Sequence, residues 1–108
     1  MFEKHSNEGF EQPFEGIDRK TLVYGEKTLL TEFRLKEGSL LPLHSHPHEQ
    51  TGYLVSGRVN VLVGGETLAA EPGDSWCIAG GTEHGAKPLK DSVVVEVFSP
   101  VREDYLPK

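Results

Sequence analysis

Glycine and proline interrupt this chain so regularly that it has room for short strands and almost none for helix. Twelve glycines and seven prolines are spread over 108 residues, and turn signals recur at intervals of roughly 8–12 residues, the spacing of a sandwich or barrel. Gly25-Glu26, Ser56-Gly57, Gly64-Gly65 and Glu71-Pro72-Gly73-Asp74 are the clearest turns; paired glycines suit tight hairpins. Between them, strands are predicted over Lys20–Tyr24, Thr28–Lys36, Glu49–Val55, Arg58–Val63, Glu66–Ala70, Ser75–Ala79 and Ser92–Ser99. In the second of these, Thr31, Phe33 and Leu35 alternate with Glu32, Arg34 and Lys36, the mark of one buried and one wet face. Only Val101–Leu106, before Pro107, offers a turn of helix. The expected fold class is all-β.

The length fits one domain. Residues 1–19 carry no sustained period and are expected to form an N-terminal arm; residues 20–108 are expected to form the barrel, with Phe98–Leu106 as its C-terminal segment. Eleven Lys and Arg stand against 17 Asp and Glu, a net charge of −6, which is not the basic footprint of a nucleic-acid partner. No segment approaches the ~20 apolar residues of a membrane span, and the first residues lack a secretory pattern. A cytoplasmic protein with no membrane partner is therefore expected. Cys77 is the only cysteine, so it has no disulfide partner within the chain and no second thiolate for a zinc site.

Three of the five histidines fall within His44-Ser-His46-Pro-His48, followed by Glu49-Gln50; a fourth, His84, lies in a glycine-rich stretch. In an extended strand His44, His46 and Gln50 would share one face, with a rise of roughly 3.3 Å per residue, so that two imidazoles reach one ion. The alternatives are a solvated histidine loop and the remnant of a tag. An internal cluster that contains a proline and runs into the strand-like Thr51–Val55 favours the metal site. His48 has the same parity but follows Pro47 in an expected kink, and is placed in the pocket wall, with a role in substrate binding.

From Gly38 the chain runs Gly-x5-His44-x-His46-x3-Gln50-x6-Gly57, which resembles the first motif of the cupins with Gln50 in place of the usual glutamate. Gly73-x5-Ala79-x-Gly81-x2-His84 resembles their second motif, with Ala79 in place of proline and Pro88 where asparagine is usual. The resemblance implies a small β-barrel or jelly roll, commonly dimeric, enclosing one divalent metal held by His44, His46, Gln50 and His84. The ending Glu96-Val-Phe98-Ser-Pro100-Val-Arg102-Glu-Asp104-Tyr-Leu106 is similar to that of the pectin-degradation cupins that linearise 4,5-unsaturated uronates. Carried over residue by residue, this implies catalytic roles for Glu96 and Arg102 and substrate contacts from Phe98 and Arg102. Where that family has aspartate, Glu96 extends the carboxyl by one C–C bond, about 1.5 Å.

Three neutral imidazoles and a neutral amide would leave the full charge on a divalent ion, a strong Lewis acid for an anionic sugar. Nickel, zinc, manganese and iron all accept such donors. Gln50 could also be a structural hydrogen-bonder, Glu96 an edge-strand carboxylate facing water, and Arg102 a surface partner of Glu103 or Asp104. The expected function is a non-redox enzyme opening and tautomerising unsaturated uronates. An iron-dependent dioxygenase and a non-catalytic module binding a small sugar or acid are the alternatives.

Overall fold

The computed structural model describes residues 1–107. Ten strands follow one another: β1 Glu11–Phe14, β2 Ile17–Tyr24, β3 Leu29–Leu35, β4 Leu41–His44, β5 Glu49–Ser56, β6 Val59–Val63, β7 Glu66–Ala70, β8 Ser75–Ile78, β9 His84–Pro88 and β10 Ser92–Ser99. One turn of 3₁₀ helix, Glu103–Tyr105, comes after them. The strands form a six-stranded sheet in the order β1-β2-β3-β10-β5-β8 and a four-stranded sheet in the order β4-β9-β6-β7. Every pairing is antiparallel.

The core lies between the two sheets, as the alternation in β3 requires. Leu29, Thr31, Phe33 and Leu35 point inward and are buried, while the residues between them are only partly covered. Ile17, Leu54, Val59, Val61 and Val94 complete the interior from both sheets. Burying such a side chain contributes about 1.5–3 kcal/mol, whereas the Thr31 hydroxyl needs a partner there and donates to the Glu96 carbonyl at 3.1 Å.

Three expectations need correction. Residues 1–19 are not wholly an arm: β1 and the start of β2 belong to the large sheet, and Ile17 is fully buried opposite Leu35. β1 has all four residues exposed and so shows no apolar alternation to detect. Secondly, β4 and β9 were not expected as strands, since Leu-Pro-Leu-His and His-Gly-Ala-Lys-Pro lack the β-branched and aromatic residues that signal one. Thirdly, His44 and Gln50 do not lie on one strand. The chain leaves the small sheet at His44, crosses by residues 45–48 and enters the large sheet at Glu49, so a corner between the sheets brings the cluster together.

The glycine-rich loop before β9 is packed against that corner. The Gly81 N–H donates to the His46 carbonyl at 2.8 Å, and a Cβ on Gly80 would run into the Pro47 carbonyl. Glycine there permits an approach that a side chain would block.

Candidate metal centre

His44 and His84 face each other across the β4–β9 pair, in register. His46 joins them from the corner. Their ring centroids lie 4.3 Å (His44–His84), 4.8 Å (His46–His84) and 5.7 Å (His44–His46) apart, and one ligating nitrogen from each falls within 4.8 Å of the others. Each Nδ1 sits against a main-chain carbonyl two residues away: His44 on Pro42 at 2.8 Å, His46 on His48 at 3.0 Å and His84 on Thr82 at 2.8 Å. A carbonyl can only accept, so Nδ1 carries the hydrogen and Nε2 keeps its lone pair. This carbonyl backing is the usual support of a metal-binding imidazole.

The donor set fits a metal on a second count. Nε2 of His46 and of His84 and Oε1 of Gln50 are buried with no hydrogen-bond partner, an arrangement that costs free energy unless something accepts those lone pairs. Burial is also the main reason that the His46 pKa is lowered to about 4, with the charge of Arg102 and the neighbouring His84 acting in the same direction. His84 is lowered chiefly by burial, against its bond to the Thr82 carbonyl. Near neutral pH both rings are therefore uncharged and ready to ligate.

Gln50 links this cluster to the other half of the site. It starts β5, is 5% exposed, and uses its Nε2 to donate to Glu96 Oε2 in a short hydrogen bond. With the amide in this sense, Oε1 is the unpartnered end. Gln50 is thus both a hydrogen-bonder and a fourth candidate ligand.

Glu96 does not stand on an edge. It lies in β10, between β3 and β5, directly across from Gly52, and the Trp76 indole occupies the space that a side chain at Gly52 would fill. A carboxyl so enclosed is hard to ionise. Burial raises its pKa to about 8, outweighing the Gln50 hydrogen bond and the charge of Arg102, which pull it down. It is therefore mostly protonated near neutral pH while still within range of giving up its proton.

Phe98 pairs across from Gln50 and is only 2% exposed. Its ring meets His46 edge-on at 5.7 Å and Tyr105 at 5.4 Å, and the Arg102 guanidinium lies 5.1 Å from its centre. So little free surface does not suit the expected stacking on a sugar; Phe98 is the floor beneath His46 and Arg102. His48 supports the site through its carbonyl, which accepts from His46, and its ring centroid is 5.6 Å from that of His46.

Arg102 is almost covered, with 12% of its side chain exposed. Nε and Nη2 donate to the Asp104 carboxylate at 3.2 and 2.7 Å, and Nη1 donates to the Tyr105 hydroxyl at 3.0 Å. Burial alone would raise the Asp104 pKa, but Arg102 outweighs it and holds the carboxyl low. A cleft of about 460 Å³ opens over His44, Arg102, Asp104 and Tyr105, and His48 is not part of its lining. Asp104 and Tyr105 were not singled out as site residues from the sequence. The only hint available was their place in the C-terminal ending.

The cupin-domain family profile matches residues 31–99, nearly two thirds of the chain. The chain belongs to the cupin family. It is 28% identical over 99 residues to the pectin degradation protein KdgF of Dickeya dadantii, covering 90% of each. The structure of KdgF from a Halomonas species superposes with a TM-score of 0.92 at 31% identity, over 98% of both chains. An RmlC-like cupin from Shewanella frigidimarina follows at 0.90 and 25% identity, over 98% of this chain and 96% of that one. This cupin is thus of the pectin-degradation type in both sequence and shape, and its three-histidine group can hold a metal.

Proposed function

We propose that this cupin is an enzyme of pectin breakdown that opens 4,5-unsaturated uronate rings to linear ketouronates without a redox step. The observation that carries this reading is the Glu96–Gln50 hydrogen bond, which sets a partly buried carboxyl beside the three-histidine group. Similarity to KdgF proteins over nearly the whole chain supports the sugar-acid class. His44, His46, His84 and Gln50 would hold one divalent ion, which when bound supplies Lewis-acid polarisation of the sugar's oxygens.

The remaining work falls to the protein. Opening the hemiacetal makes C1 an aldehyde and leaves the ring oxygen on an enol; moving a proton to C4 then gives the ketone at C5. No atom is added or lost, so one group that donates and recovers a proton is sufficient. Burial raises the Glu96 pKa to about 8 in the metal-free protein, a charge on the bound ion would lower it, and general acid–base catalysis is most effective when the pKa lies near the working pH. Arg102 has five N–H groups and uses three of them on Asp104 and Tyr105. The others remain for the substrate carboxylate, which a planar guanidinium matches well.

The test is the ultraviolet absorbance of the conjugated enol-ether acid, which disappears on conversion to the ketone. Protein loaded with metal is expected to accelerate that loss above the spontaneous rate, with no oxygen consumed. No acceleration, or oxygen uptake in step with substrate loss, would contradict the proposal.

A further inference from the structure

The β1–β2 hairpin brings a second guanidinium to the cleft. Arg19 lines it together with Phe14, Leu43, His44, Arg102 and Tyr105. The guanidinium carbons of Arg19 and Arg102 each lie 3.9 Å from the Tyr105 ring centre, too close to be anywhere but against the ring face. Tyr105 is itself tied to β2, because the Thr21 hydroxyl donates to its carbonyl at 2.6 Å. One aromatic ring, fixed by the hairpin, thus carries two cations beside the cleft that His44 lines, and Arg19 also faces, with Glu11, a neighbouring cleft of about 430 Å³.

The two arginines differ in what already holds them. Arg102 is engaged on three nitrogens. Arg19 has one carboxylate partner, Glu11 at 3.3 Å, whose side chain is 73% exposed while its own is only 18% exposed; its other contact is Tyr105. With its carboxylate partner so exposed, this long ion pair contributes little and is readily exchanged. The Arg19 guanidinium is therefore positioned by packing but only weakly occupied, which lowers the ordering cost of binding an anion. The ion pair Arg58–Glu71, at 2.7 Å with both side chains at least half exposed, has no such aromatic support.

We propose that Arg19 is a second anion-binding residue of this site, joining Arg102 in receiving the carboxylate of a sugar acid, with Glu11 as the group it releases. This rests on the sugar-acid reading above. It also makes the N-terminal hairpin part of the substrate site.

The experiment is calorimetric titration of the metal-loaded protein with galacturonate and with galactose, which share a ring and differ in the carboxylate. Wild type is expected to bind galacturonate more tightly. Arg19→Gln should weaken galacturonate about tenfold, the loss of one charge-assisted hydrogen bond, and leave galactose within about twofold. Arg19→Lys should recover part of the loss. Glu11→Gln, at an exposed position, should tighten galacturonate a few-fold because its competitor is removed. Equal losses for both sugars in Arg19→Gln, no gain in Glu11→Gln, or a wild type indifferent to galacturonate would overturn the proposal. Since galacturonate is not turned over, the outcomes separate. Binding that depends on Arg19 in a protein that leaves unsaturated uronates untouched would remove the ring-opening reading and keep this one.

Discussion

The two halves of the site are built on different principles. On the histidine side, each imidazole is oriented by a carbonyl two residues away, so the local backbone sets the direction of all three rings. On the other side, Arg102, Tyr105 and Arg19 orient one another through side chains that come from both ends of the chain, and Glu96 is held by Gln50. The first half needs only a correct corner and a correct loop. The second needs the whole large sheet in register, with the N-terminal hairpin closed over the C-terminal turn. Gln50 connects them, with one end of its amide on Glu96 and the other unpartnered. The difference teaches that, Gln50 apart, the two groups of residues are held independently, so substitutions in one are expected to leave the geometry of the other intact.

The largest effect that would test this separation is on the histidine side. Replacing His84 by Ala removes a buried candidate ligand and is expected to weaken metal binding more than about 100-fold, beyond what loss of a supporting group alone produces. Metal content after exhaustive desalting measures it. Full retention of metal would mean that the unpartnered nitrogens are not ligands.

The next effect is on stability, in the metal-free protein. An acid whose pKa is raised on folding stays protonated where the unfolded chain is ionised, so stability falls as pH rises from about 4.5 to about 8 through Glu96. His46 acts with the opposite sign in a lower window. Its folded pKa of about 4 lies below the ordinary 6.5, so its contribution is lost as pH falls through that range. Glu96→Gln removes the first dependence and leaves the second. The variant is expected to melt about 5 °C above wild type near pH 8, with the gap closing toward about pH 5. Parallel melting curves at both pH values would show that Glu96 does not carry this titration.

The smallest expected effect lies at the ring between the cations. Tyr105→Phe keeps both guanidinium contacts and deletes only the hydroxyl that accepts from Arg102. The loss of one such bond corresponds to about a fivefold rise in KM for the sugar acid, with metal content unchanged. A fall in metal content would show that the two halves are coupled more tightly than their geometry indicates.

The histidine half was legible in the sequence because metal ligation demands particular residue types and the cluster is local. The route was not: His44 and Gln50 belong to different sheets, and their shared parity reflects a corner, not one strand. The core alternation of β3 was legible for the ordinary reason that one face is buried. β4 and β9, which carry His44 and His84, were hidden because their sequences follow the demands of the site and not strand propensity. Glu96 stood out as a charge among valines, and the structure accounts for it. Arg19 and Tyr105 could not be found, since the contact between them depends on closure of the hairpin over a turn far away in the chain. Phe98 was noticed but assigned to the substrate, and its exposure of 2% places it in the packing instead.

The most direct measurement is the rate of absorbance loss from 4,5-unsaturated galacturonate with wild type and Glu96→Gln at equal metal content. If the buried carboxyl moves the proton, the variant should bind metal as wild type does and turn over about 100-fold to 10,000-fold more slowly, the usual range for general acid–base catalysis. A Glu96→Gln protein as fast as wild type would contradict the central claim, leaving Glu96 as a support for Gln50 and the proton to another group.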